Sequence, residues 1–448
     1  MNKISFLVCC ASLLFISCST DFPSRDNVFH SDEAHTGVYE AASFKNFGGL
    51  KWKFKTGGRI FSSPVIVDGI SYVGSEDSNF YAIRATTGEL SWKFHTLGAV
   101  SSSPAVYNQM VYFTSYDGFC YAVDEKTGKE IWKFKTGGEK KVGAVNLWTM
   151  KPANMYMEDL WDFFLSSPVV DPNNGGTLYF GSSDGNLYAV NAGNGDLKWK
   201  FKTDGIIHTS PALYHGTVFF GSWDTYLYAV DAQTGKEKWK FKTKEQPVYH
   251  VLEGIQSSPT VSDSLVYFGA RDGFFYALSI NTGALAWNFP ADNSWVLTTA
   301  AIKDSTVYFG TSDTYLMLAL DARTGKKKYS MKAKGYLYSS PAIAGETIYY
   351  GDFTGNLYAL DLNSGGKSWQ TFSTEGRKVN AARILNQEGN LDFAFTAGAQ
   401  DLSLYETTVD VMNEFYNLGS IVSSPAISGN TIYFGSADGY LYAVELKN

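Results

Sequence analysis

Asp224-Thr225-Tyr226-Leu227-Tyr228-Ala229-Val230-Asp231-Ala232-Gln233-Thr234-Gly235-Lys236-Glu237-Lys238-Trp239-Lys240-Phe241 is the stretch on which the fold turns. Just ahead of it stand Pro211-Ala212-Leu213-Tyr214 and Val218-Phe219-Phe220-Gly221-Ser222. The unit therefore holds four short β-type runs, at 211–214, 218–222, 227–230 and 239–241, separated by turn residues. It recurs along the chain. Trp52, Trp92 and Trp132 stand 40 residues apart, as do Trp199 and Trp239, and Trp287, Tyr329 and Trp369 occupy the same slot. Pro64, Pro104, Pro168, Pro211, Pro259, Pro341 and Pro425 keep step, with Thr299-Ala300-Ala301 substituting once. A period near 40 residues with four strands per period is that of a β-propeller blade.

The small motifs are structural. Asp-Gly pairs (Asp117-Gly118, Asp184-Gly185, Asp272-Gly273, Asp438-Gly439) supply the positive φ of a tight hairpin, and Thr-Gly pairs do so before the fourth run. In Lys198-Trp199-Lys200-Phe201-Lys202 the two-residue period puts the aromatics on one side and the lysines on the other. Such charge protects an outer edge strand from pairing with another molecule. With 44 Asp+Glu against 37 Lys+Arg, the chain is not a nucleic-acid binder.

Eight clear copies plus a decayed one, from Val379-Asn380-Ala381-Ala382 through Phe393-Ala394-Phe395-Thr396 and Leu402-Ser403-Leu404-Tyr405 to Glu414-Phe415-Tyr416, give a count of nine, so the all-β ring has eight or nine blades. The last copy lacks its own Trp-Lys-Phe strand, and an unmatched Trp52-Lys53-Phe54 stands at the front. The N-terminal strand is therefore expected to complete the last blade and close the ring, making 50–448 one domain.

Residues 1–17 read as a secretory signal, with Lys3, an apolar run from Ile4 to Ile16, and Ser17 before Cys18. Residues 18–49 read as a polar tether and lead-in. Cys9 and Cys10 lie in the signal and Cys120 stands alone in a strand, so no disulfide is expected.

Function is sought where the repeat is broken. The largest insertion, 137–165, falls in a fourth-to-first strand connection and carries Trp148, Met150, Tyr156, Met157 and Trp161. Aromatics and flexible Met suit a partner site, and equally a plug over the ring's channel. His208, Trp223, His250, Arg271 and Trp295 are candidate mouth-lining residues. The tryptophans among these, with Trp148 and Trp161, also offer stacking platforms for a ligand or glycan. The six histidines show no metal-ligand spacing, and no His-Glu-x-x-His motif occurs. No catalytic and no metal residue is assigned.

The Asp-Gly-x-Leu-Tyr-Ala unit ending in Thr-Gly-x-x-x-Trp-x-Phe resembles the pyrroloquinoline-quinone (PQQ) repeat over nearly all of 50–446. That repeat is shared by quinoprotein dehydrogenases and by BamB-like outer-membrane assembly lipoproteins, usually as eight-bladed rings. Leu14-Phe15-Ile16-Ser17-Cys18 resembles a lipoprotein signal with Cys18 as the lipidated residue, and Ser19 resembles the outer-membrane sorting pattern. His35-Thr36-Gly37-Val38-Tyr39 resembles the lead-in of such propellers. The dehydrogenase resemblance implies an adjacent-cysteine disulfide and an ion site; the only such pair is Cys9-Cys10, and Glu253, Asp292, Asn293 and Asp162 are lone loop residues. The resemblance therefore implies a non-catalytic, cofactor-free lipoprotein on the periplasmic side of the outer membrane. Its partners would be outer-membrane or periplasmic proteins, a barrel-assembly complex among them. A ligand- or glycan-binding propeller and a PQQ dehydrogenase are the alternatives.

Overall fold

A computed structural model describes residues 27–147, 153–244, 253–390, 392 and 403–448. Eight four-stranded antiparallel blades form the ring: 65–95, 105–135, 169–202, 212–242, 260–290, 301–332, 342–373, and 426–447 joined by 46–55. The eighth blade takes its outer strand from the other end of the chain. Asn46–Lys55 pairs antiparallel with Tyr440–Lys447, Trp52 opposite Ala443 and Phe54 opposite Leu441, which leaves no open edge.

The repeat residues tie each blade to the next. Trp199 Nε1 donates to Ala232 O of the following blade at 3.1 Å, and its ring packs against Gly235. Gly235 has φ +69°, and a Cβ there would stand 2.6 Å from the indole, so both the turn and the close approach demand glycine. The turn aspartates serve the same end: Asp184 accepts from Tyr188 OH at 2.6 Å and from Gly137 N at 2.6 Å, across the blade junction. Around the channel the second serine of each Ser-Pro motif accepts from its counterpart one blade back. Ser103 N donates to Ser167 Oγ, Ser167 N to Ser210 Oγ, Ser340 N to Ser424 Oγ, and Ser424 N to Ser63 Oγ.

The ring has eight blades, not the nine counted from sequence. The region read as a decayed ninth copy holds two helices, α1 (Glu375–Ile384) and α2 (Leu404–Asn417), inserted between the seventh and eighth blades. Thr374 caps α1, and Ser403 with Glu406 forms a capping box on α2. Tyr405, Met412 and Phe415 then recur at helical spacing on the buried side of α2. Residues 393–396 of the expected copy lie outside the described residues.

Trp369 also departs from its expected slot. It pairs with Leu360, one residue out of step with Trp199 opposite Ala189, and is 45% exposed. The third and fourth strands of the eighth blade come from opposite ends of the chain, so no Thr-Gly turn receives its indole.

Strand alternation gives the ring two faces. The upper face carries the fourth-to-first connections and second-to-third turns, and the lower face carries the others. Residues 27–45, within the expected polar tether and lead-in, are bound to the lower side of the channel. Asn27, Glu33, Ala34, Thr36 and Gly37 carbonyls accept from Val106, Leu213, Val261, Ile302 and Ile343 N, which occupy the inner strands of five blades. Val38–Tyr39 adds a parallel strand to the inner edge of the seventh blade. These inner strands would otherwise present unpaired N–H groups to the channel, which is why the lead-in binds rather than hangs free. Residues 18–26 lie outside the described residues.

Candidate functional site: a capped upper face

Both long insertions meet on the upper face. Within 137–165, Gly143–Val145 and Tyr156–Glu158 form a hairpin, Gly143 opposite Glu158. Tyr405 of α2 donates from its hydroxyl to Glu158 O at 3.1 Å and packs with buried Val142 and Leu147. Beyond the hairpin the chain dives into the mouth. Trp161 meets Tyr336, Tyr338 and Phe353 at centroid distances of 5.3, 5.7 and 5.8 Å, and Phe163 packs on Phe61 at 5.2 Å. Met412, Phe415 and Leu418 complete this apolar cap from the α2 side.

Beneath it Arg271, on a second-to-third turn, lies between two indoles. Its guanidinium carbon is 4.5 Å from the Trp223 ring and 4.2 Å from that of Trp295. Gln256 Oε1 accepts from Arg271 Nε and Nη2 at 3.1 and 2.6 Å, and Asp159 of the insertion comes within 2.7 Å of Nη2. Burial raises the Asp159 carboxyl pKa, opposed by the Arg271 charge.

A second pin lies on the other side of the insertion. His208 Nδ1 is 2.9 Å from Asp162 Oδ1, and its Nε2 is 2.8 Å from Ser183 Oγ. This is the connectivity of a Ser-His-Asp triad. Ser183 is the central serine of Gly181-Ser182-Ser183-Asp184-Gly185, a Gly-x-Ser-x-Gly match that the sequence reading overlooked and that lies on the second-to-third hairpin turn of the third blade, not on a strand-to-helix elbow. Its chemistry is different. Ser183 Oγ also lies 2.7 Å from Glu139 Oε2 and 2.9 Å from Lys140 O, and Ser183 and His208 are both buried. Burial works against the imidazolium, but Asp162, through its charge and hydrogen bond, outweighs it and raises the His208 pKa. With its hydroxyl held by Glu139 and Lys140 O and sealed from solvent, Ser183 pins the insertion to the ring through His208 and Asp162.

The channel below is nearly full. Phe29 of the lead-in closes it from below and Phe164 and Leu165 of the insertion from above, leaving about 20 Å³. A tricyclic quinone needs a pocket of several hundred Å³, and Arg271 already covers a face of both Trp223 and Trp295. The mouth residues as arranged do not fit that cofactor. Among the described residues no three His, Cys, Asp or Glu side chains are grouped to hold a metal.

The expected site residues thus separate. Trp161 is packing. Met157 is partly buried against the hairpin cluster, and Tyr156 is 50% exposed. His208, Trp223, Arg271 and Trp295 gather beneath the cap, engaged with protein groups. Trp148, Met150, His250 and Cys18 lie outside the described residues. Sequence reading missed Asp159 and Glu139, whose only signal was charge within the insertion, Ser183, whose signal was the Gly-x-Ser-x-Gly match at 181–185, and α2.

The fold and site define a class: an eight-bladed PQQ-repeat propeller whose mouth is filled by its own side chains. The profile of the family described as outer membrane protein assembly factor BamB matches residues 40–147, 143–256 and 250–448, and the chain belongs to that family. No curated protein sequence matches it. Among solved structures it is similar to BamB from Moraxella catarrhalis, at 15% identity and TM-score 0.63, covering 89% of this chain and 99% of that one. It is also similar to the quinohemoprotein alcohol dehydrogenase of Comamonas testosteroni (15%, TM-score 0.67, 94% and 80%). A europium-containing methanol dehydrogenase matches comparably (15%, TM-score 0.66, 95% and 99%). At these identities the structural likeness establishes the fold alone.

Proposed function

We propose that this protein is a non-catalytic scaffold of the outer membrane, attached by lipid at Cys18, that binds envelope proteins through its upper face. One observation carries the reading. Of the exposed large apolar side chains among the described residues, Leu90, Ile131, Leu197, Leu285, Leu50 and Trp369 belong to outer strands, whereas Leu97, Val145, Met155, Tyr156, Val379 and Leu404 all belong to upper-face connections and their insertions. Apolar side chains gathered on one face, above a mouth closed to small ligands, suit protein contact better than catalysis. Family membership supports the same reading, with a membrane-assembly complex as the partner.

The test is site-specific photocross-linking in intact cells. A photoreactive residue at Met155, Tyr156 or Val379 should give a discrete adduct with an envelope protein, and one at Gln233 on the lower face should not. Equal labelling from both faces would remove the assignment. The dehydrogenase likeness supports a second reading, which requires the cap to open; quinone binding tests it separately.

A further inference from the structure

The path of the lead-in fixes more than the ring. Asn27 is held to the inner strand of the second blade by two hydrogen bonds, its carbonyl accepting from Val106 N at 2.8 Å and its Nδ2 donating to Val106 O at 3.0 Å. From there the chain stays on the lower side. Phe29 closes the channel from below, Ser43 abuts the first-to-second turn of the seventh blade at Gly345, and Lys45 reaches Asp361 at 2.9 Å. The point at which the chain arrives from residue 26 is therefore near the ring axis and below it.

We infer that the lower face of the ring is turned toward the bilayer and the capped upper face away from it. This rests on the lipid attachment at Cys18 proposed above. Cys18 and Asn27 are nine residues apart, a reach of roughly 30 Å even when fully extended. Turning the upper face to the membrane would require the chain to cross a blade of four strands, about 14 Å at ~4.8 Å per spacing, and then climb a six-residue strand of about 20 Å. That exceeds the reach before any turn or the cap is cleared. The lower face is not itself adhesive: its cleft of about 1300 Å³ is lined by Asp32, Glu33, Asp171, Asp231 and Asp263, which anionic headgroups repel. Orientation thus comes from where the lead-in is bound, and the insertions face the periplasm, open to a partner.

The test uses the acylated protein purified from membranes and reconstituted in vesicles carrying a headgroup-linked energy acceptor. Cys120, the free cysteine among the described residues, is buried, so an introduced cysteine is labelled selectively. Donor dye is placed at Gln233→Cys on the lower face or at Leu97→Cys on the upper face, where Leu97 is 88% exposed. Transfer from position 233 should exceed that from 97 by twofold or more. Inserting twenty Gly/Ser residues after Asp21 should reduce the difference. Equal or inverted transfer in anchored protein would overturn the inference while leaving the lipid attachment standing. Vesicle binding by Cys18→Ala equal to that of the natural chain would instead refute the attachment, and the inference with it.

Discussion

Asp159 of the inserted loop lies 2.7 Å from Arg271 Nη2 of the fifth blade, and neither side chain reaches solvent. The pair joins the cap to the ring, and removing one member strands the other charge in an apolar mouth. Arg271→Met is expected to cost about 3–5 kcal/mol, and Asp159→Leu a similar amount. The double variant Asp159→Leu with Arg271→Met should recover much of the loss, because it leaves no uncompensated charge. Urea denaturation of the four proteins measures the coupling; additive costs would show that the pair does not act as a unit.

The buried histidines make the two sides of the channel respond to pH in opposite directions. His208 has its pKa raised above the ordinary 6.5, where Asp162, seconded by Glu139 and opposed by Lys141, overcomes burial. Its contribution is fully present below pH ~6.5 and is lost as pH rises through the folded value. His35, between Pro259 O and the ring of Phe29, is pushed down to about 3 by burial and by His30, and His30 is lowered by burial against the pull of Asp32. Their contribution is present above pH ~6.5 and is lost as pH falls toward the folded values. Hydrogen exchange, corrected for intrinsic rate, should show 27–39 losing protection between pH 7 and 4 and 153–165 losing it above neutrality. Parallel changes in both segments would refute the assignment.

The ring was legible because its determinants are local and repeated. Trp199, Gly235 and Asp184 each recur with the period, and each makes the same contact in successive blades. The helical insertion was misread because Leu402-Ser403-Leu404-Tyr405 alternates like a strand over four residues. Only over the fourteen residues of Leu404–Asn417 does the helical spacing of Tyr405, Met412 and Phe415 emerge. The cap was half legible. Composition singled out Trp161 and Arg271, but their burial is set by Asp159, Gln256 and α2, contacts between segments far apart in sequence. Residues 18–49 read as a polar tether and lead-in, and the binding of 27–45 to the ring was not legible because five of its bonds run through backbone carbonyls, which carry no side-chain signature.

Quinone chemistry offers a direct check on the filled mouth. Purified protein with PQQ and calcium should show no saturable binding by fluorescence quenching at micromolar cofactor, and no dye reduction with alcohols or sugars, because only about 20 Å³ remains between Phe29 and Phe164. Saturable binding would mean that the cap opens and would promote the enzyme reading.

The insertion should separate into a structural and a recognising half. Trp161 is ringed by Tyr336, Tyr338 and Phe353, so Trp161→Ala should cost about 3–5 kcal/mol, as truncation of a well-packed aromatic does, with partner capture falling only as the fold does. Tyr156 and Val379 are instead 50% and 77% exposed, Tyr156 with its hydroxyl donating to Lys141 O at 3.3 Å. Tyr156→Asp and Val379→Asp should each leave stability within about 0.5 kcal/mol. If the upper face is the docking surface, they should together weaken partner capture by roughly 2 kcal/mol or more, near a thirtyfold loss. Thermal melts and quantitative cross-linking on the same proteins decide between the two halves. Stability loss at Tyr156 and Val379 without loss of capture would move the docking surface away from both residues, and with them from the groove between α1, α2 and the eighth blade, which Val379 lines and where Arg59 stacks on Tyr416 at 4.1 Å.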